Sequence, residues 1–181
     1  VALSSDGLVL AAGSHHDDDN AQNSGSILVW QRPDLATSLT TATPVKLSDP
    51  DGAMNDNLGA GGVAMSHDGL VLVASSYQDD DMGGESGSIL VWQREDLATS
   101  LSTVTPVKLI DPQGGPGNLL GKGGVSISSD GLVIAAASHQ DSPMGQYSGS
   151  IVVWKRADLS VSLSTLSPVK IVDPDGGASD N

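Results

Sequence analysis

The sequence has no cysteine, no phenylalanine and few basic residues, with 8 Lys and Arg against 22 Asp and Glu and a formal net charge of −14. Without cysteine, disulfides, thiolate metal sites and cysteine nucleophiles are excluded. Phosphate binding needs clustered Lys and Arg, so the acidic balance argues against nucleic acid and anionic membrane surfaces as partners. No apolar run approaches the roughly 18 residues of a membrane span. Cations are the partners that this charge favours, and calcium is the natural one in an extracellular setting.

A catalytic motif is also missing from the sequence. Serine is abundant, but no G-x-S-x-G elbow or other nucleophile motif occurs. The carboxylates lie in polar loops, where burial does not tune their pKa values for acid–base work. We therefore predict that the chain is not an enzyme.

What the chain does contain is a tandem repeat of about 62 residues. Residues 1–62, 63–124 and 125–181, here called copies 1, 2 and 3, align without a gap. The segment VALSSDGLVLAAGS recurs as VAMSHDGLVLVASS and VSISSDGLVIAAAS. The chain starts inside a strand-like segment and the third copy stops short. We therefore expect further repeats beyond both ends.

Each copy predicts four short strands, which in copy 1 are residues 1–3, 8–14, 24–32 and 44–49. They are rich in branched apolar residues and separated by Gly, Asp, Asn and Ser turns. Four such strands describe one blade of a β-propeller. The predicted fold is all-β, with three tandem four-stranded antiparallel sheets of the β-propeller blade type, part of a larger propeller or array.

The motifs resemble the FG-GAP repeats of integrin-type β-propellers. The resemblance rests, in order, on residues 46–47, 49–57, 58–59, 63, 67–69, 70–76, 77–85 and 87–92. It implies propeller blades and an extracellular or cell-surface location. Two features depart from the family pattern. Leu58 and Leu120 stand where the family has Phe, and tight turns at residues 4–7, 66–69 and 128–131 replace the family's calcium loop.

Three blades are too few to close a propeller, which has about four to eight. An open end would expose a sheet face of over ~300 Å², already the size of a binding patch. We therefore expect self-association: further blades of the same chain, a second chain that completes a six-blade ring, or stacking into a fibre.

Runs of carboxylates between the second and third strands suggest a calcium site. The residues predicted as ligands are Asp17 and Asp19 in copy 1 and Asp79 and Asp81 in copy 2. Copy 3 keeps only Asp141 of this run. The alternative interpretation is a solvated loop between strands.

A second acidic segment follows the fourth strand. In DPDGAMNDN, residues 49–57, the predicted calcium ligands are Asp49, Asp51 and Asp56. The alternative is a turn between blades that is chosen for its backbone shape. His15 and His16 adjoin the first acidic run and offer a less favoured transition-metal site.

Trp30, Trp92 and Trp154 share one repeat position, which indicates a core anchor for the third strand. The alternative is an exposed ring on which a sugar stacks. The Ser/Thr-rich segments 37–44, 99–106 and 161–168 have a composition that suits O-glycosylation; otherwise they are exposed polar connections.

Three functions fit these features. We favour a non-enzymatic extracellular structural or adhesive glycoprotein that polymerises into a fibre or surface layer and binds calcium. The second is a ligand- or glycan-binding propeller, such as a lectin or receptor ectodomain that contacts glycans or surface proteins. The third is an accessory module of a larger secreted enzyme.

Overall fold

The computed structural model describes residues 1–178 and contains three four-stranded antiparallel sheets. This confirms the predicted all-β class and the three tandem sheets. In each sheet the strands pair in chain order. The strands are β1 (Ala2–Leu3), β2 (Val9–Ser14), β3 (Ser26–Gln31), β4 (Val45–Leu47), β5 (Val63–Met65), β6 (Val71–Ser76), β7 (Ser88–Gln93), β8 (Val107–Leu109), β9 (Leu120–Ile127), β10 (Val133–Ser138), β11 (Ser150–Lys155) and β12 (Val169–Ile171).

Helical structure in residues 1–178 is confined to one short 3₁₀ turn before the last strand of each sheet. These turns span Leu39–Thr41, Leu101–Thr103 and Leu163–Thr165. The structure of residues 1–178 contains no helix with the length and apolar character that crossing a bilayer requires.

The turn between the first two strands is set by three residues of its sequence. In copy 1, Ser4 Oγ donates to Asp6 Oδ1 at 2.6 Å, and the Leu8 amide donates to the same oxygen at 2.9 Å. Gly7 takes a φ of 71°, which L-residues with a side chain rarely adopt. The same bonds recur at Ser66–Asp68 and Ser128–Asp130. The S-x-D-G motif is therefore a local code for this hairpin.

The third sheet begins earlier than the division at residues 124 and 125. Strand β9 starts at Leu120, which pairs with Ser138, and the register shifts between Ala136 and Ser138. The corresponding segment at the end of copy 1 takes a similar path along the second sheet, since the Gly59 amide donates to Ser75 O at 2.7 Å. The link between copies thus runs along the edge of the following sheet.

The core lies between the sheets. We call the side of a sheet that faces the following copy its trailing face, and the side that faces the preceding copy its leading face. The trailing face of copy 1 contributes buried Val9, Ala11, Ile27, Val29 and Leu47, and the leading face of copy 2 contributes buried Leu72, Ala74, Leu90, Trp92 and Leu101. In the middle sheet, alternate side chains of β6 and β7 therefore serve different junctions, which explains the apolar runs in both strands.

The junction between copies 2 and 3 repeats this packing. Val71, Val73, Ile89, Val91 and Leu109 of copy 2 meet Ile134, Ala136, Val152, Trp154 and Leu163 of copy 3. The middle sheet is covered on both sides and shows buried side chains along the whole of β6. Each outer sheet has one covered face.

Candidate functional site

The carboxylates predicted as calcium ligands lie around lysines of the fourth strands. In copy 1, Lys46 Nζ lies 2.5 Å from Asp17 Oδ2 and 2.6 Å from Asp19 Oδ2. Ser26 Oγ also donates to Asp17 Oδ2 at 2.9 Å. The hydrogen bond from Lys46 is the largest cause of a lowered pKa at Asp17. An ammonium group thus stands between the two carboxylates that were predicted to share a calcium ion.

Copy 2 builds a larger cluster around Lys108, whose Nζ lies 2.6 Å from Asp79 Oδ2 and 3.2 Å from Asp81 Oδ2. It also lies 2.9 Å from Asp49 Oδ2, which belongs to copy 1. Burial lowers the pKa of Lys108, but its bonds to Asp79 and Asp49 outweigh burial and leave the pKa raised. The structure therefore joins the two acidic segments, which are separate in sequence, at one junction.

Lys170 repeats this arrangement between copies 2 and 3. Its Nζ lies 2.5 Å from Asp141 Oδ2 in copy 3 and 2.7 Å from Asp111 Oδ2 in copy 2. Burial raises the pKa of Asp141, while the bonds from Lys170 and Ser150 lower it and prevail. Asp49 Oδ2 and Asp111 Oδ2 are buried without a well-directed hydrogen bond, so the lysine's charge is what compensates their burial.

The sequence analysis missed these lysines. Lys46 stands between Val45 and Leu47, an alternation that is typical of a half-exposed strand and does not mark the lysine as part of a site. A signal was present: a lysine follows the first Asp of the acidic run by 29 residues in every copy, as the pairs Lys46–Asp17, Lys108–Asp79 and Lys170–Asp141 show.

A third buried carboxylate makes the first junction different from the second. Oxygens of Asp49, Asp56 and Asp79 lie within 4.8 Å of one another. Burial raises the pKa of Asp56, and the charges of Asp79 and Asp49 add to this; the Ala53 amide, which donates to Asp56 Oδ2 at 2.6 Å, opposes it. At the second junction Asn118 holds the equivalent position and donates to Asp141 Oδ1 at 3.1 Å. Only the first junction therefore carries an additional negative charge here.

Asp51 and the histidine pair lie outside this cluster. The Asp51 amide donates to Asp49 Oδ1 at 3.0 Å, while the residue itself is exposed. His15 and His16 are exposed, with ring centroids 4.2 Å apart. They line a polar concavity of about 730 Å³ between copies 1 and 2, together with Tyr77. Calcium or transition-metal binding by any of these residues stays a prediction.

The shared tryptophan position lies in the core, as the sequence analysis favoured. Trp92 is 1% exposed and Trp154 is 2% exposed, and each pairs with an apolar residue of the neighbouring strand, Leu72 and Ile134. Trp30 occupies the same place on the leading face of copy 1 and is half-buried. Rings that are buried to this degree in copies 2 and 3 cannot stack on a sugar.

Replacing Lys108 by methionine should destabilise the protein strongly. The substitution keeps the apolar stem but leaves Asp49 and Asp79 buried without a compensating charge. We expect a loss of about 3 kcal/mol in the free energy of unfolding, the low end for breaking a buried ion pair. Urea unfolding followed by circular dichroism measures it.

Lys46→Met is the matched control for this prediction. Among residues 1–178, Lys46 pairs with Asp17 and Asp19 of its own copy and with no carboxylate of another copy, and it is 38% exposed. Its loss should therefore cost much less. Equal losses for the two variants would contradict a special role for the junction lysine.

Replacing Asp56 by asparagine should stabilise the protein at neutral pH. The raised pKa means that the folded state holds the Asp56 proton more tightly than the unfolded state. Ionised Asp56 is therefore a cost at pH 7, and this cost fades as the pH falls through the folded pKa. We expect a gain of about 1 kcal/mol at pH 7, because an amide can donate to Asp79. That corresponds to a rise of about 2–4 °C in Tm.

The second junction supplies the reciprocal control. Asn118→Asp should lower the Tm at pH 7 and lose this effect in acid. Calorimetry of both variants at pH 7 and near pH 4 makes the comparison. A gain from Asp56→Asn that is as large in acid as at pH 7 would count against the charge-based account.

Comparison with known proteins supports the resemblance. Residues 43–92 match the family model described as FG-GAP repeat. The matched segment includes β4 of copy 1 and ends within β7 of copy 2, and so contains the junction cluster of Asp49, Asp56 and Asp79. No curated protein matches the sequence.

Among solved structures, the chain is similar to an acylaminoacyl peptidase in complex with Z-Gly-Gly-Phe-chloromethyl ketone, with a TM-score of 0.42 and 11% sequence identity. The match covers 83% of this chain and 21% of the peptidase chain, so the protein spans about a fifth of that peptidase's length. A likeness at this level supports no inference about fold or activity. The family match concerns one segment: residues 43–92 carry an FG-GAP repeat, and the sequence of that segment recurs at the spacing of the copies.

Proposed function

We propose that this chain is a non-enzymatic structural or adhesive repeat protein of the cell exterior, built to associate through stacked sheets. One observation carries the proposal. The same junction of apolar faces and a lysine between two carboxylates forms twice, between copies 1 and 2 and between copies 2 and 3. A unit that repeats its own contacts in register is suited to extending an array.

The outer faces of the array support this proposal. Ile151, Val169 and Ile171 on the trailing face of copy 3 are 46%, 65% and 52% exposed. Their counterparts at the inner junctions are buried or half-buried, for example Ile89 at 0% and Leu109 at 4%. Large apolar side chains that are exposed on one face, and buried or half-buried at the equivalent positions of the inner junctions, indicate an interaction surface.

The exterior location rests on two features. FG-GAP repeats are typical of extracellular and cell-surface proteins, and residues 43–92 match that family. The strongly acidic composition, with a net charge of −14, suits a hydrated exterior surface that attracts cations. The exposed Ser/Thr segments before each fourth strand would be the sites of O-glycosylation.

A ligand-binding propeller is the second candidate, and the polar concavity between copies 1 and 2 favours it. Its lining offers amide and imidazole groups from Asn23, Asn55 and His16, and the half-buried phenol ring of Tyr77. Such a lining suits a polar ligand such as a saccharide. Since Trp92 is buried, Tyr77 is the ring that would contact the sugar.

Sedimentation velocity over a range of concentrations, with negative-stain electron microscopy, tests the leading proposal. We expect end-to-end assemblies: a discrete dimer if two chains close a ring, or a series of larger species if they stack into a fibre. A single monomeric species at all concentrations, together with binding to a glycan array, would instead favour the ligand-binding candidate.

We also propose that calcium binds at the first junction, where three buried carboxylates face one ammonium group. Calcium at this place would have to share or displace Lys108. We expect calcium to raise the Tm by a few degrees over chelator-treated protein at equal ionic strength. Asp56→Asn should reduce the response, because it removes one oxygen charge. Equal Tm values with calcium and with chelator would contradict calcium binding at this junction, and Lys108 would then be the group that neutralises the carboxylates.

A further inference from the structure

The two inner junctions share a set of contacts that defines how one copy recognises the next. In the backbone, the Ser5 amide donates to His67 O at 3.0 Å, and the His67 amide donates to Ser129 O at 2.9 Å. In the ion pairs, Asp49 meets Lys108 and Asp111 meets Lys170. Each contact joins equivalent positions of two successive copies. The same pairs of positions can therefore be compared on the two outer faces.

The outer faces carry complementary halves of this set. Asp173 on the trailing face of copy 3 is the counterpart of Asp49 and Asp111, and it is exposed. Lys46 is the counterpart of Lys108 and is 38% exposed. Lys108 binds three carboxylates, while Lys46 binds two within residues 1–178, so Lys46 has room for a third.

The apolar surfaces are complementary in the same way. Ile151 and Ile171 occupy the positions of Ile27 and Leu47, which are 0% and 3% exposed in the first junction. On the leading face of copy 1, Leu3 is 56% exposed, whereas its counterparts Met65 and Ile127 are half-buried.

One position of the outer faces does not match the inner junctions, and it is occupied by Gln31, Gln93 and Lys155 in copies 1, 2 and 3. Gln31 donates through Nε2 to Leu97 O at 2.8 Å and accepts from Arg94 Nη1 at 2.8 Å. Gln93 makes the same two bonds with Leu159 O and Arg156, at 2.9 Å and 2.5 Å. Copy 3 has Lys155 at this position. An ammonium group can donate to a carbonyl but cannot accept from a guanidinium, and it repels one.

We propose that the trailing face of copy 3 binds the leading face of copy 1 of a second chain, in the register of the inner junctions, and that Lys155 weakens this contact by facing Arg32 of that chain. The inference rests on the proposed self-association and names its two faces and the residue that limits its strength. The Asp173–Lys46 pair and the apolar faces favour the contact, and the Lys155–Arg32 pair opposes it. Lys155 thus sets the affinity of chain for chain.

The absence of cysteine allows a direct test of the two faces. Ser5 and Ser129 are both exposed, and the inner junctions place their positions in backbone contact. A Ser5→Cys chain mixed with a Ser129→Cys chain should form a disulfide-linked dimer under mild oxidation. Either chain alone should form far less, because each would need two like faces to meet. Asp173→Asn in the Ser129→Cys chain should lower the yield.

The role of Lys155 is tested by sedimentation velocity over a range of concentrations, which measures the affinity of chain for chain. Lys155→Gln restores the residue of the inner junctions and should tighten association by about tenfold, which corresponds to about 1.4 kcal/mol. Lys122→Gln is the control, since it removes the same charge at an exposed residue whose Nζ lies 6.0 Å from the centre of the Tyr77 ring, at the junction of copies 2 and 3. Lys122→Gln should leave the affinity of chain for chain unchanged. An unchanged affinity with Lys155→Gln would overturn the role given to Lys155.

Two failures can be told apart. If the protein sediments as an assembly but the mixed pair links no faster than either chain alone, the named faces are wrong and self-association stands. If the protein stays monomeric by sedimentation even as Lys155→Gln, both this inference and the proposed self-association fail.

Discussion

The burial of one sheet against the next is the interaction on which the rest of the structure depends. Each sheet has apolar side chains on both faces, so a single copy cannot shield them from water. The middle sheet shows the consequence: with a neighbour on each side, every residue of β6 is buried. Strand composition and the spacing of the turns follow from this one requirement.

The second constraint is charge. A chain with a net charge of −14 that brings its copies together must also bring their acidic loops together. The lysine of the fourth strand offsets this concentration of negative charge. In copies 2 and 3, its ammonium group lies between a carboxylate of its own copy and a carboxylate of the preceding copy. A buried ion pair contributes little net stability by comparison with apolar packing, but removing one partner is costly. The lysines therefore contribute to the junctions mainly by compensating the buried carboxylates, and their removal is costly.

Small departures between near-identical copies carry the specific chemistry. Asp56 becomes Asn118, which removes one buried charge from the second junction. Gln31 and Gln93 become Lys155, which alters the face that copy 3 presents. The apolar positions of the strands and the lysine of the fourth strand recur in every copy, whereas the residues at these two positions differ between copies.

The amino-acid sequence by itself determined the repeat, the strands, the S-x-D-G hairpins and the core position of the tryptophans, because each depends on local patterns of apolar and turn residues. It also marked the acidic segments, although it suggested separate loops. Only the tertiary structure decided that Asp49 of copy 1 and Asp79 of copy 2 share one lysine, since they meet across a junction between copies. Pairing of that kind depends on how one sheet is positioned over the next, and a linear pattern does not contain that information.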